Sequence, residues 1–134
     1  MTGSLTIAGL GPGTPDWITP AAQAALDAAT DIVGYGPYVD RVPERTGLTK
    51  HASDNRVEVE RASHALQLAA EGRTVAVVSG GDPGVFAMAA AVFEALEAGP
   101  AEWLAITITV EPGITAMLAA AARAGAPLGG DFCA

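Results

Sequence analysis

The sequence predicts an α/β fold with a mostly parallel, open sheet flanked by helices, and three observations lead there. The run Thr74-Val75-Ala76-Val77-Val78 is short, apolar throughout and rich in β-branched residues, the composition of a strand buried on both faces. After it, Val85, Met88, Ala89, Val92, Phe93 and Leu96 recur at the spacing of one helical face. Between the two lies Ser79-Gly80-Gly81-Asp82-Pro83-Gly84, a polar break in the place where open parallel sheets bind ligands, beyond the carboxyl ends of their strands. Strand, tight turn and helix then repeat along the chain.

In order, Leu5-Thr6-Ile7-Ala8 is the first strand and runs into Gly9-Leu10-Gly11-Pro12-Gly13. A dinucleotide fingerprint would need a third glycine where Thr14 stands, and Pro12, Pro15 and Pro20 delay any helix, which argues against a nicotinamide site. Thr19 caps the next helix with Pro20 at its first position, and Ala21, Ala22, Ala25, Leu26 and Ala29 form its apolar face. Thr30-Asp31 turns into a second strand, Ile32-Val33, and Gly34-Tyr35-Gly36-Pro37-Tyr38 is the loop after it. Tyr35 and Tyr38 either stack on a flat ligand or close the core beneath the loop. Pro43 limits any helix here to a turn or two, and Leu48 to Ala52 is either a short third strand or loop.

Asp54 or Asn55 is expected to cap the following helix, with Asn55 and Glu58 spaced as a capping box, Ala62, Ala65, Leu66 and Ala69 as its inner face and Gly72 as terminator. In the central loop, Asp82 either caps the helix from Val85 to Leu96 or faces a ligand. Gly99-Pro100 ends that helix, and Leu104 to Val110 is a strand by alternation. Glu111-Pro112-Gly113-Ile114-Thr115-Ala116 then opens a last helix ending near Gly125. Met88 and Met117, at helical spacing with other apolar residues, read as core.

Composition narrows the function classes. The chain has 134 residues, 50% of them hydrophobic and only 5% aromatic, which suits close helix-on-sheet packing in one domain. Cys133 is the only cysteine and the two histidines, His51 and His64, lie far apart in sequence, so neither a disulfide framework nor a metal cluster is expected. The N-terminus lacks the pattern of a signal peptide and no apolar run is long enough for a membrane span, so a soluble cytoplasmic protein is expected. A net charge of −8 argues against a nucleic-acid partner. Within it, Arg41, Arg45, Lys50, Arg56 and Arg61 face four acids between positions 41 and 61, a window of net +1. That window is either a solvated surface of mixed charge or a receptor for a small polyanion rich in carboxylates. No catalytic triad, paired carboxylates or Walker loop is present. What remains suits a reaction run by positioning.

Taken together, the three loops resemble those of the tetrapyrrole methylase family, S-adenosylmethionine-dependent methyltransferases of cobalamin and sirohaem biosynthesis. Gly9 to Gly13 with Thr19-Pro20 is similar to the family's first loop, Ser79 to Phe86 to its central Gly-Gly-Asp-Pro loop, and Pro112 to Ala116 to its third. Val33 to Asp40 and Ser79 to Met88 most resemble the branch that methylates precorrin-3B at carbon 17 and contracts its macrocycle. The resemblance implies a two-domain fold, with residues 1–125 as the N-terminal α/β domain, 126–134 as the start of the connection, and a C-terminal domain that lies beyond this sequence. It implies a homodimer, and S-adenosylmethionine as methyl donor contacting Pro12, Gly80, Gly81, Asp82, Val85, Thr115 and Ala116. Chemistry alone, without a motif match, adds Tyr35 and Tyr38 for the macrocycle and Arg41, Arg45, Lys50 and Arg56 for its carboxylates. Where the uroporphyrinogen branch carries an aspartate assigned as base, this chain has Gly36, so no catalytic residue is assigned. The alternatives are a non-catalytic tetrapyrrole-binding or assembly module, and a methylase of the same fold with a non-tetrapyrrole substrate.

Overall fold

The computed structural model describes residues 1–134. Five strands form one parallel sheet: β1 (Ser4–Gly9), β2 (Asp31–Tyr35), β3 (Thr49–Ser53), β4 (Thr74–Ser79) and β5 (Thr107–Glu111), in the spatial order β3-β2-β4-β1-β5. The helices are α1 (Pro20–Ala28), the single turn α2 (Gly36–Val39), α3 (Glu58–Ala70), α4 (Met88–Ala98) and α5 (Ala116–Ala124). None is long and apolar enough to cross a membrane.

Alternation along the central strands divides the core in two. Leu5, Ile7, Val33, Val75 and Val77 face α3 and α4, whose alanines allow close approach, while Ala8, Ile32, Ala76 and Val78 face Ala22 and Leu26 of α1. The chain therefore leaves β1 toward one face of the sheet and leaves β4, its neighbour, toward the other. A crevice opens where adjacent strands send their connections in opposite directions. The loops after β1 and β4 flank that crevice.

Thr19 caps α1 as its sequence predicts, its Oγ1 accepting from the Ala22 N–H at 3.1 Å, and Gly125 ends α5 in a left-handed conformation with φ 65°. Leu48 to Ala52 resolves as the edge strand β3, shifted by one residue.

Four expectations are corrected. The central helix starts at Met88, not Val85, because Asp82 draws the Gly84 N–H at 2.9 Å and the Val85 N–H binds the Asp82 carbonyl at 3.2 Å, so the chain turns before it coils. Asp54 and Asn55 do not cap α3, whose N-terminal flank is Val57 with no side-chain cap. Arg61 holds that approach instead, donating to Ser53 Oγ at 2.8 Å and to the Asp54 carbonyl from a site only 4% exposed. Burial pulls this guanidinium below its ordinary pKa against the charges of Glu58 and Asp54. Leu104 and Ala105 belong to a 3-10 turn, Ala101–Ala105, that buries Trp103, so β5 starts at Thr107.

Asp31, expected in a turn, is a fully buried residue of β2. Its carboxylate receives hydrogen bonds from His51 Nε2 at 2.9 Å, Thr30 Oγ1 at 2.8 Å and the half-exposed Arg73 Nη1 at 3.2 Å. Burial alone would raise its pKa, but the bonds from His51, Thr30 and Arg73 and the charge of Arg73 outweigh it and hold it below 3.8. A carboxylate with a depressed folded pKa stabilises the fold fully above its unfolded pKa and loses that contribution as pH falls through the folded value. Acid unfolding below about pH 4 is therefore expected to be steeper in the parent than in Asp31→Asn, which should itself be less stable at pH 7 by about 2 kcal/mol. Denaturant melts of both proteins at pH 7 and pH 3 provide the check, and equal pH dependence would remove Asp31 from this role.

Candidate active site

Three loops meet backbone to backbone above β1, β4 and β5. Gly11 and Gly81 exchange N–H and carbonyl bonds of 3.1 and 2.9 Å, forming a short antiparallel bridge between the first and central loops. Both have φ in the left-handed region, 71° and 61°. Asp82 ties the central loop to the third, its Oδ1 accepting from the Gly113 N–H at 3.0 Å while Oδ2 holds Gly84. The capping role open to Asp82 in the sequence is thus not the one it takes.

Around this junction is an open cavity of about 570 Å³, within the range of small-molecule sites. Pro12, Gly80, Gly81, Asp82, Val85, Thr115 and Ala116, which come from three loops far apart in sequence, all line it. Thr115 precedes α5 but makes no side-chain cap bond, so its hydroxyl and the first N–H groups of α5 are available to a ligand. Met117, expected in the core, is half-buried and lines the same cavity. The lining also includes Gly11, Tyr38, Arg41, Phe86, Cys133 and Ala134.

Of the proposed macrocycle contacts, Tyr38 lies against Gly80 so closely that a Cβ there would come within 2.9 Å of its ring. Tyr35 meets Tyr38 edge to face, with ring centroids 5.4 Å apart, and lines a neighbouring cavity of about 80 Å³. Tyr38 also packs against the α1 core, which reconciles the two readings of the pair: it supports the loop and borders the cleft.

The basic window does not form one anion-binding surface. Arg41 reaches the cleft, but its guanidinium donates to the carbonyls of Leu10 at 2.7 Å, Gly11 at 3.2 Å and Gly13 at 2.6 Å, clamping the first loop. Arg45 turns to the C-terminal end of α1, where the carbonyls of Leu26 and Asp27 accept at 2.8 and 3.1 Å and that of Ala29 also accepts. Lys50 donates to the Val42 carbonyl at 2.8 Å and pairs with Glu44 at 3.3 Å. Arg56 is exposed beside Asn55 and Glu58, in a surface depression separate from the cleft. His51 of β3 and His64 of α3, distant in sequence, touch edge to face with centroids 4.9 Å apart.

Two residues at the cleft take roles that the sequence does not show. For Arg41 the position was marked but not its task, because its partners are main-chain carbonyls that leave no residue-type signal. Phe86 was noted within a motif, yet its φ of 52° follows from the turn set by Asp82.

Comparison with known proteins adds to this geometry. The family model for tetrapyrrole (corrin/porphyrin) methylases matches residues 4–134. The chain is 56% identical over 134 residues to a precorrin-3B C(17)-methyltransferase of Sinorhizobium sp, a match covering 100% of this chain and 53% of that protein. It is 38% identical over 130 residues to a probable cobalt-factor III C(17)-methyltransferase of Salmonella typhimurium, covering 96% of this chain and 53% of that one. Among solved structures, the methyltransferase CobJ superposes with a TM-score of 0.94 at 67% identity over 98% of this chain and 55% of its own. A uroporphyrin-III C-methyltransferase of Thermus thermophilus complexed with S-adenosylhomocysteine shares the fold, with a TM-score of 0.62 at 24% identity over 88% of this chain and 48% of its own. The chain spans about half the length of each of these proteins. With nearly its whole length matched, from Ser4 to Ala134, the chain belongs to the tetrapyrrole methylase family.

Proposed function

We propose that this chain is the donor-binding half of an S-adenosylmethionine-dependent methyltransferase of cobalamin biosynthesis, acting on precorrin-3B at carbon 17 with contraction of the ring. One observation carries the reading: the seven residues named from the family loops converge on one cavity at the sheet's switch point. The residues fit such a donor. Gly80 and Gly81 let Tyr38 and the third loop pack close against the central loop at the cavity wall, and Thr115 with the N-terminus of α5 offers donors and a positive dipole end to a carboxylate. Tyr38 and Val85 supply apolar wall.

S-adenosylmethionine, when bound, supplies a methyl group already activated by its sulfonium. What the chain must add is alignment with the substrate carbon and exclusion of water. Both ionisable groups that anchor the cleft agree with that division of labour: Asp82 is held by two N–H groups and Arg41 by three carbonyls, so each serves as a tie between loops.

The same proposal takes residues 1–125 as an N-terminal domain and 126–134 as the lead into a second one, in a homodimer of the cytoplasm. Val110, Ile114 and Leu118, on β5, the loop after it and α5, are 38%, 37% and 50% exposed, apolar side chains of the kind a second domain would cover. Isothermal titration with S-adenosylhomocysteine, on residues 1–134 and on the full reading frame, tests the reading. Binding by the longer protein alone is the expected result, since the proposed second domain would complete a cleft that is open in this chain. No binding by either, with both folded, would refute the methyltransferase assignment.

A further inference from the structure

The segment after β2 reaches both glycine loops of the cleft, yet its main chain bonds to neither. Tyr38 lays its ring against Gly80 of the central loop, and Arg41, three residues on, sends its guanidinium to the first loop. The stem from which Arg41 extends is well anchored. Pro37 fixes the start of α2, and the N–H groups of Asp40, Arg41 and Val42 donate to the carbonyls of Gly36, Tyr38 and Val39 at 2.9, 3.1 and 3.1 Å. Val39 and Val42, on either side of it in sequence, are both buried in the core beside α1.

The bonds of the guanidinium follow a pattern. Nη2 donates to the carbonyls of Leu10 and Gly13, and Nη1 to that of Gly11. Of the four carbonyls from Leu10 to Gly13, only that of Pro12 is left without a protein donor. Pro12 is also exposed and lines the cleft, so the first loop meets the cavity with an acceptor free for a ligand at a residue whose φ is fixed. No carboxylate pairs with Arg41; its charge is met by carbonyl dipoles. A planar fork with donors on two nitrogens spans three such oxygens at once, whereas an ammonium group donates from a single point.

We infer that Arg41 is a positioning residue for the methyl donor: by taking the carbonyls on both sides of Pro12, it fixes the first loop in its binding shape and leaves Pro12 for the donor to meet. A glycine-rich loop is costly to order, and a loop held before the ligand arrives removes that cost from binding. The inference rests on the methyltransferase reading. It deepens that reading by bringing the loop after β2 into a donor site that the family motifs place on the other three loops.

The test uses the full-length protein with S-adenosylhomocysteine as the probe. Arg41→Ala should lower its affinity about tenfold in titration calorimetry, and Arg41→Lys, which keeps the charge but not the fork, about threefold to fivefold. Hydrogen exchange supplies a readout specific to the loop. In the ligand-free protein, the peptide from Gly9 to Thr19 should exchange at least about tenfold faster in Arg41→Ala than in the parent, while β4 keeps its protection. Saturation with S-adenosylhomocysteine should narrow the difference. Should Arg41→Ala fail to fold, Arg41→Lys carries the same comparison. Affinity equal to the parent's in Arg41→Lys would overturn the inference, because charge alone would then suffice. Faster exchange spread through β4 would reduce Arg41 to a general structural role, and weaker binding with unchanged exchange in the loop would make it a direct ligand contact; either result overturns the positioning role. A parent that binds S-adenosylhomocysteine beside variants that bind it equally well overturns this inference alone. A folded parent that does not bind overturns the functional reading with it.

Discussion

Asp82→Ala is expected to lower the affinity of the full-length protein for S-adenosylhomocysteine by at least about tenfold and its stability by about 2–3 kcal/mol. The magnitude follows from the two bonds the carboxylate makes. It accepts from Gly113 N–H at 3.0 Å and from Gly84 N–H at 2.9 Å, joining the loop after β4 to the loop after β5. Charge-assisted bonds of this kind contribute about 1.5–3 kcal/mol each when buried, and the exposure of the Gly84 bond places the pair toward the lower end. Asp82→Asn does not restore them, because an amide has only one accepting oxygen and would turn its own N–H₂ toward one of the two main-chain donors. Titration calorimetry with thermal melts separates the two effects. If the variant melts lower while the folded fraction binds as tightly as the parent, Asp82 is a structural tie and its assignment to the donor site is wrong.

Gly9→Ala should be more damaging to the fold. A Cβ on Gly9 would stand 2.7 Å from the Gly81 carbonyl oxygen, 2.9 Å from the Gly113 nitrogen and 2.9 Å from Pro83 Cδ. Two of these are main-chain atoms and the third belongs to a closed ring, so no flexible side chain can move aside. Overpacking against such neighbours costs about 3 kcal/mol, and relief requires the three loops to separate at the proposed donor site. Binding of S-adenosylhomocysteine should then fall beyond detection, whereas Gly13→Ala, with nothing within 4 Å of the added methyl, should bind as the parent does. Equal behaviour of the two variants would show that the junction is looser than the structure makes it.

Much of this arrangement is legible in the sequence. Glycine, proline and aspartate mark breaks because their backbone preferences differ from those of strand and helix residues, so the three loops and their order could be read directly. Thr19-Pro20 and Gly125 likewise reveal helix ends through local chemistry. The misses share a different cause. Arg41 and Arg45 read from the sequence as candidates for substrate carboxylates, but each is satisfied by carbonyl oxygens, which every residue possesses and no sequence advertises. The buried position of Asp31 depends on His51 of β3 and on Arg73 from the turn before β4, and the late start of α4 depends on where the Asp82 carboxylate turns. Long-range polar satisfaction decides these features, and periodicity carries no record of it.

The place of β1 in the sheet has a consequence for how the protein is made. β1 is the first strand in sequence, yet both of its partners come late: Ser4 aligns with Thr74 on one side and with Thr107 on the other. As the chain emerges from the ribosome, β2 and β3 can pair early, while β1 must wait for most of the polypeptide to follow it. Such non-local pairing is entropically costly and slows folding. During that wait its fully apolar core residues, Leu5 and Ile7, have no native neighbours and are open to aggregation or chaperones. The Gly11–Gly81 bridge can close only once β4 has joined β1, so the junction of the loops is among the last parts of the nascent chain to take shape.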